Sequence, residues 1–181
     1  MNDSSKATRS LEERLRAIED RLDILNLIAE HPPSADTGAD YYTAEVYTED
    51  GVFDRGENLL GAKGNKEVAA ILKTPGHQAA IQGGLAHFAA LPHIAIDGDR
   101  AVVTSYLQIL TPRTSGESVD VPNHGSSRGF HIHRVVANRW ELVRTAGGWK
   151  IRSRAIRPLD GSEPARALLR GALEPYRKAS N

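Results

Sequence analysis

The sequence predicts an α+β domain in which a strongly curved antiparallel sheet wraps around three N-terminal helices. Over residues 11–25, apolar side chains recur at helical spacing, at Leu11, Leu15, Ile18, Leu22 and Leu25. From Leu85 onward the period changes to two, with Val103, Ser105, Leu107 and Ile109 alternating against Val102, Thr104, Tyr106 and Gln108. Turn residues at Asp97-Gly98-Asp99 and Ala146-Gly147-Gly148 divide this second part into hairpins. Helices first and hairpin-linked strands afterwards is the α+β order.

Taken in order, the chain of 181 residues reads as a polar, disordered tail over 1–10, one folded body over 11–160 and a helical extension over 161–181. Ser10 and Glu13 form a capping box that starts the first helix. Its apolar stripe reads as the face that covers the domain's own sheet. The other use of such a stripe, a two-stranded contact with another chain, asks for three to four heptads, and about two are present. His31-Pro32-Pro33 stops the helix because neither proline has an N–H to donate, and residues 34–38 read as a turn. A second helix over about 39–47, a strand over 51–55 and a third helix over 65–73, ended by Pro75-Gly76, come next.

Residues 85–106 read as one strand, a tight turn and a second strand. Residues 111–128 form a long polar loop, a flap or a subunit contact. Strands over 130–145 and 149–156 follow, and Gly161-Ser162-Glu163-Pro164 opens a short last helix.

Composition narrows the function classes. Twenty-three basic and 23 acidic residues balance, which argues against nucleic-acid binding driven by bulk charge. There is no cysteine, hence no disulfide, thiolate metal site or Cys nucleophile. No apolar run approaches the ~20 residues that span a bilayer, and the start MNDSSKATRS lacks the apolar core of a secretory signal. A soluble, cytoplasmic protein with neither nucleic acid nor membrane as partner is expected.

The residue that invites chemistry is His87, set among Leu85, Ala86, Phe88 and Ala89. An imidazole there would be poorly hydrated and neutral, as a general base must be, or it is a buried histidine bonded to a backbone carbonyl. Asp36 in Pro-Ser-Ala-Asp-Thr-Gly reads equally as a turn or N-cap residue. Asn138 alternates with Trp140 and Leu142, so it is either an inward polar group needing a partner or an edge or bulge residue. His131 and His133 share a strand face and His93 and His124 could approach, yet no acidic residue stands at a diagnostic spacing, so no metal and no cofactor are expected. Arg152, Arg154 and Arg157 read as a solvated strand face plus one strand-end residue. No Gly-rich phosphate loop, GxSxG or Walker motif is present.

The Leu/Ile-rich first helix, Asp36 before a second helix ending in Glu49-Asp50-Gly51, Ala86-His87-Phe88, Asp97-Gly98-Asp99 and Gly147-Gly148-Trp149 together resemble the SnoaL-like group of the nuclear-transport-factor-2-like superfamily. The resemblance covers residues 11–159 and implies a cystatin-like cone. Within that superfamily the chain is similar to scytalone dehydratase and bile-acid dehydratase, which use an aspartate–histidine pair inside the cone. The resemblance places that pair on Asp36 and His87. It places a substrate-binding asparagine on Asn138 and a strand-end arginine on Arg157, with Arg154 as the alternative. His31 and Arg55 stand where those enzymes carry tyrosines, so the electrophilic side of the site departs from the pattern.

The resemblance thus implies a cofactor-independent lyase or isomerase that acts on a hydrophobic cyclic small molecule through a His-Asp general base. The alternative it implies is a non-catalytic ligand-binding or assembly protein, like the β subunit of ring-hydroxylating dioxygenases. Either would associate as a homodimer or homotrimer.

Overall fold

The computed structural model describes residues 10–57 and 59–174. The tail expected over 1–10 therefore lies almost wholly outside the described residues. Helix α1 (Leu11–Ala29) starts at the anticipated capping box, with Glu13 N–H donating to Ser10 Oγ at 3.1 Å and Ser10 N–H to Glu13 Oε2 at 2.8 Å. The two prolines do not end helical structure. They open a new helix, α2 (His31–Thr37), because the first turn has no partner for their missing N–H groups. Gly38 closes α2 at φ 69°, and a Cβ there would lie 2.9 Å from Gln78 Nε2, so glycine is required. Asp36, read as a turn or cap residue, is thus a helical one.

After α3 (Asp40–Val46) come β1 (Tyr47–Asp54) and the two-residue β2 (Ala62–Lys63). Helix α4 (Asn65–Ala70) runs into a 3₁₀ turn over Ile71–Lys73. Pro75 again begins rather than ends a helix, α5 (Pro75–Gln82), with the Thr74 hydroxyl capping it. The stretch read as one strand before Asp97 is two, β3 (Ala86–Ala89) and β4 (His93–Asp97), parted before His93 at Pro92, and both pair with β5 (Arg100–Pro112). The polar loop contains a small exposed hairpin, β6 (Val119–Val121) with β7 (Gly125–Ser127). The long β8 (Phe130–Thr145) and β9 (Gly148–Pro158) close the sheet, and α6 (Glu163–Arg170) follows.

Seven strands form one sheet in the order β2-β1-β9-β8-β5-β3, with β4 also on β5. The sheet is mixed: β1 runs parallel to β9 and every other pair is antiparallel. Three register shifts interrupt its ladders, in β1–β9 between Tyr47 and Val52, in β5–β8 between Ile109 and Leu110, and in β8–β9 at Glu141/Leu142. The concave face holds two apolar clusters. The larger joins Ile24, Leu27 and Ile28 to Tyr47, Val103, Trp140, Leu142 and Ile151. The smaller joins Leu107, Val136 and Ile156, with Phe53 against it.

Only the second half of α1 covers the sheet. Leu11, Leu15, Ile18 and Leu22 are exposed, while Asp20, Ile24, Leu27 and Ile28 are buried. Leu22 and Ile24 are about 200° apart around the axis, so the expected stripe faces away from the core except at Leu25, which packs against it. Asp20 is the anchor at this end. Its carboxylate accepts from Arg144 Nη1 at 2.5 Å and Nη2 at 2.6 Å and from Trp149 Nε1 at 3.2 Å, and Arg144 also donates to Asp99 at 2.9 Å.

Asp20→Ala strands these three N–H donors and is expected to lower the unfolding free energy by about 2–3 kcal/mol, read from urea denaturation. The Arg144 hydrogen bond holds the Asp20 carboxyl below its ordinary 3.8. The contribution is therefore complete well above pH 3.8 and is lost as the pH falls below it, and the variant should show correspondingly weaker acid sensitivity. Equal acid sensitivity in both proteins would contradict this.

Candidate functional site

The site lies where α2 and β3 face the smaller apolar cluster. Helix α2 supplies His31 and Asp36, one turn and a half apart, and strand β3 supplies His87. The Asp36 carboxylate uses both oxygens on one residue: Oδ1 lies 2.5 Å from His87 Nδ1, and Oδ2 accepts the His87 backbone N–H at 2.9 Å. A carboxylate only accepts, so Nδ1 carries a proton, and in the neutral imidazole Nε2 is the nitrogen that holds the lone pair. The His87 side chain is 11% exposed and borders a cavity of about 260 Å³. His77 braces α2 from the side, its Nε2 2.8 Å from the Ala35 carbonyl.

Opposite His87 stands Arg154 of β9, 3% exposed. Its Nε donates to Asn138 Oδ1 at 3.0 Å, Nη1 donates to His31 Nε2, and its guanidinium lies over the rings of Phe53 at 4.6 Å and Trp140 at 5.3 Å. Arginine cannot accept, so His31 Nε2 must, and His31 is neutral. Burial, then the charge of Arg154, push its imidazole well below 6.5. Burial likewise lowers Arg154 and raises the Tyr47 hydroxyl beside it.

Of the residues singled out in the sequence, His87, His31, Arg55 and Arg154, the alternative to Arg157, line the cavity, and Asp36 is joined to it through His87. Asn138 is fully buried behind Arg154 and does not line the cavity; its amide nitrogen has no protein partner. Arg157 is elsewhere, bonded to Asp54 at 2.5 Å beside a neighbouring depression. The bulge explains the exchange. Strict alternation from the buried Trp149 and Ile151 would turn Arg157 inward. In the ladder Leu142 pairs with Ile151 and Glu141 with Ser153, so Arg152 is the extra residue and the inward set becomes Arg154 and Ile156.

His77, His133 and Arg134 also line the cavity and were not singled out for it. For Arg134 the signal was faint: it lies across the Ile109/Leu110 bulge from a regular alternation. The apolar wall is Phe53, Leu72, Leu85, Leu107, Ile109 and Ile156. Among the described residues no three His, Asp or Glu side chains are grouped to hold a metal ion, and no helix is long and apolar enough to cross a membrane.

Comparison with known proteins adds the family context. The SnoaL-like domain family matches residues 16–155. A cystatin-fold, nuclear-transport-factor-2-like protein from Novosphingobium aromaticivorans is similar at 33% identity and TM-score 0.78, over 90% of this chain and 99% of that one. Two further structures share the fold at lower identity. ActVI-ORFA from Streptomyces coelicolor is 19% identical with TM-score 0.60, over 78% of this chain and 98% of its own. The D26N form of Rv3472 from Mycobacterium tuberculosis is 18% identical with TM-score 0.62, over 95% of both chains. Among curated protein sequences none matches.

Asp36→Ala leaves the His87 amide without its acceptor, so hydrogen exchange at that amide should speed up by about tenfold or more, read by mass spectrometry or NMR. Unchanged protection would show that β3 does not depend on this carboxylate. Because His31 is neutral in the fold but binds a proton below 6.5 when unfolded, stability should decline as the pH drops below 6.5. His31→Gln should flatten that part of the profile, and an unaltered slope would contradict the neutral assignment.

Proposed function

We propose that this chain, which belongs to the SnoaL-like domain family, is a cofactor-independent lyase or isomerase in which His87 acts as a general base on a cyclic small molecule. The observation that carries the reading is the Asp36–His87 contact at 2.5 Å, with the free Nε2 of His87 at a cavity. Asp36 orients the ring, fixes its tautomer and stabilises the imidazolium as it forms. His87 Nε2 takes a proton from a carbon next to a carbonyl, and the C–H electron pair flows towards the carbonyl oxygen. Arg154, held by Asn138 and His31, stabilises the oxyanion that develops there. When the oxyanion collapses, a β-hydroxyl leaves as water with the proton returned by His87. Alternatively the proton is returned at another carbon and a double bond has moved.

The cavity size bears on the substrate. At about 260 Å³ it is below the usual ~300–1,000 Å³ of ligand sites and suits a molecule of one ring better than a steroid. Arg55 borders it and takes the substrate-anchoring part, whereas Arg157, engaged by Asp54, does not reach it. The same features favour catalysis over the assembly-subunit reading, which needs neither a paired histidine nor an open cavity.

Exchange of the α-protons of one-ring β-hydroxyketones and enones in D₂O, followed by NMR, tests the proposal. The protein should accelerate exchange, and His87→Ala should cut that acceleration by about 10²–10⁴-fold. Arg154→Met should lower it by about 10²–10³-fold with the fold intact. Turnover that survives in His87→Ala would remove the base from this mechanism.

A further inference from the structure

We infer that the cavity is built for an anion, and specifically for a compact one-ring carboxylate. The inference rests on the same cavity as the proposed reaction and names what enters it. Three guanidiniums, those of Arg55, Arg134 and Arg154, line it, no acidic side chain among the described residues does, and Asp36 is committed to His87. Burial, and behind it the charge of a neighbouring guanidinium, disfavours the charged form of two of them: Arg134 acts on Arg55, and Arg55 on Arg154. Among the described residues, none of the three has a carboxylate oxygen within 4 Å.

Elsewhere five guanidiniums meet carboxylates, and the other described arginines outside the cavity, such as Arg14, Arg21 and Arg113, are exposed to water. Arg139 meets Glu141 at 2.8 Å, Arg144 meets Asp20, Arg157 meets Asp54, and Arg166 and Arg170 share Glu163. Glu57 and Asp160 share the neighbouring depression with Arg55 and Arg134 but form no ion pair with either, and Asp160 accepts the Ser162 N–H. Arg154 is the sharpest case, because a guanidinium 3% exposed has given up its hydration and has received an amide oxygen, an imidazole and two ring faces, all neutral. A desolvated charge of this kind is fully compensated only by an opposite charge.

Guanidinium forks match the planar carboxylate with two parallel hydrogen bonds. Apart from four histidines, the rest of the wall is aliphatic and aromatic, which fits a ring and disfavours a fully hydrated anion such as free phosphate. The carboxylate therefore sits among the guanidiniums, and the ring extends along Leu107 and Ile109 towards His87.

Isothermal titration calorimetry of the full chain with benzoate, benzamide and inorganic phosphate tests this, since benzamide has the shape of benzoate without its charge. Benzoate should bind roughly tenfold or more tighter than benzamide, the scale of one charge-assisted hydrogen bond, and phosphate more weakly than benzoate. In the double variant Arg55→Gln, Arg134→Gln the preference should fall towards parity, with an unchanged urea midpoint showing that the protein still folds. The inference is overturned if benzamide binds as tightly as benzoate or if the preference persists in the folded double variant. It is overturned equally if phosphate matches benzoate, or if neither aromatic binds at about 10 mM. Binding is read without turnover, so a protein that prefers benzoate but exchanges no protons would sink the general-base reading and leave this one standing.

Discussion

Both oxygens of the Asp36 carboxylate act on one residue, and that arrangement ties the helical layer to the edge of the sheet. One bond holds the backbone of β3, the other holds the ring that β3 carries, so strand position and ring orientation are set by the same group. Helix α2 must then be placed firmly. The prolines at its start preset the first turn, Gly38 turns the chain sharply at its end, and His77 bonds a carbonyl in its middle. An imidazole fixed in this way needs no further reorganisation before it accepts a proton.

How far the sequence disclosed this varies from residue to residue. The helix-then-hairpin order was legible because period 3.6 and period two are imposed by backbone geometry. So was the contact of Asp36 with His87, although only through the resemblance, since by itself an aspartate near Gly38 looks like a cap. The proline pair misled because proline both breaks a helix interior and favours a helix start, and the sequence alone does not say which end is present. The choice between Arg157 and its alternative Arg154 was not decidable from the sequence for a similar reason. A single extra residue in β9 inverts which side chains face inward, and bulges leave little trace in hydrophobic patterning. The stripe on α1 was read correctly as helical and wrongly as core. Periodicity reports that a helix has an apolar face, and it does not report what the face meets.

The two sides of the site come from different parts of the fold. The base and its orienter arrive through local clamping between α2 and β3. The cationic side arrives through the long strands β8 and β9 and the end of β1, whose other inward residues, Asn138 and His133 apart, are apolar. This division permits one side to change while the other is kept, which is the pattern the sequence resemblance implies in setting His31 and Arg55 at tyrosine positions beside an unchanged aspartate and histidine.

Arg154 has a consequence for how the protein responds to selection. A guanidinium buried without an acid is a place where the folded state gives up stability, and buried charges replaced by well-packed apolar side chains of similar volume often leave a protein as stable or more so. Laboratory evolution for heat resistance alone would tend to remove this side chain and then close the cavity in front of it. Variants recovered that way would look better by every measure of folding and would have lost the feature that distinguishes the interior from an ordinary core.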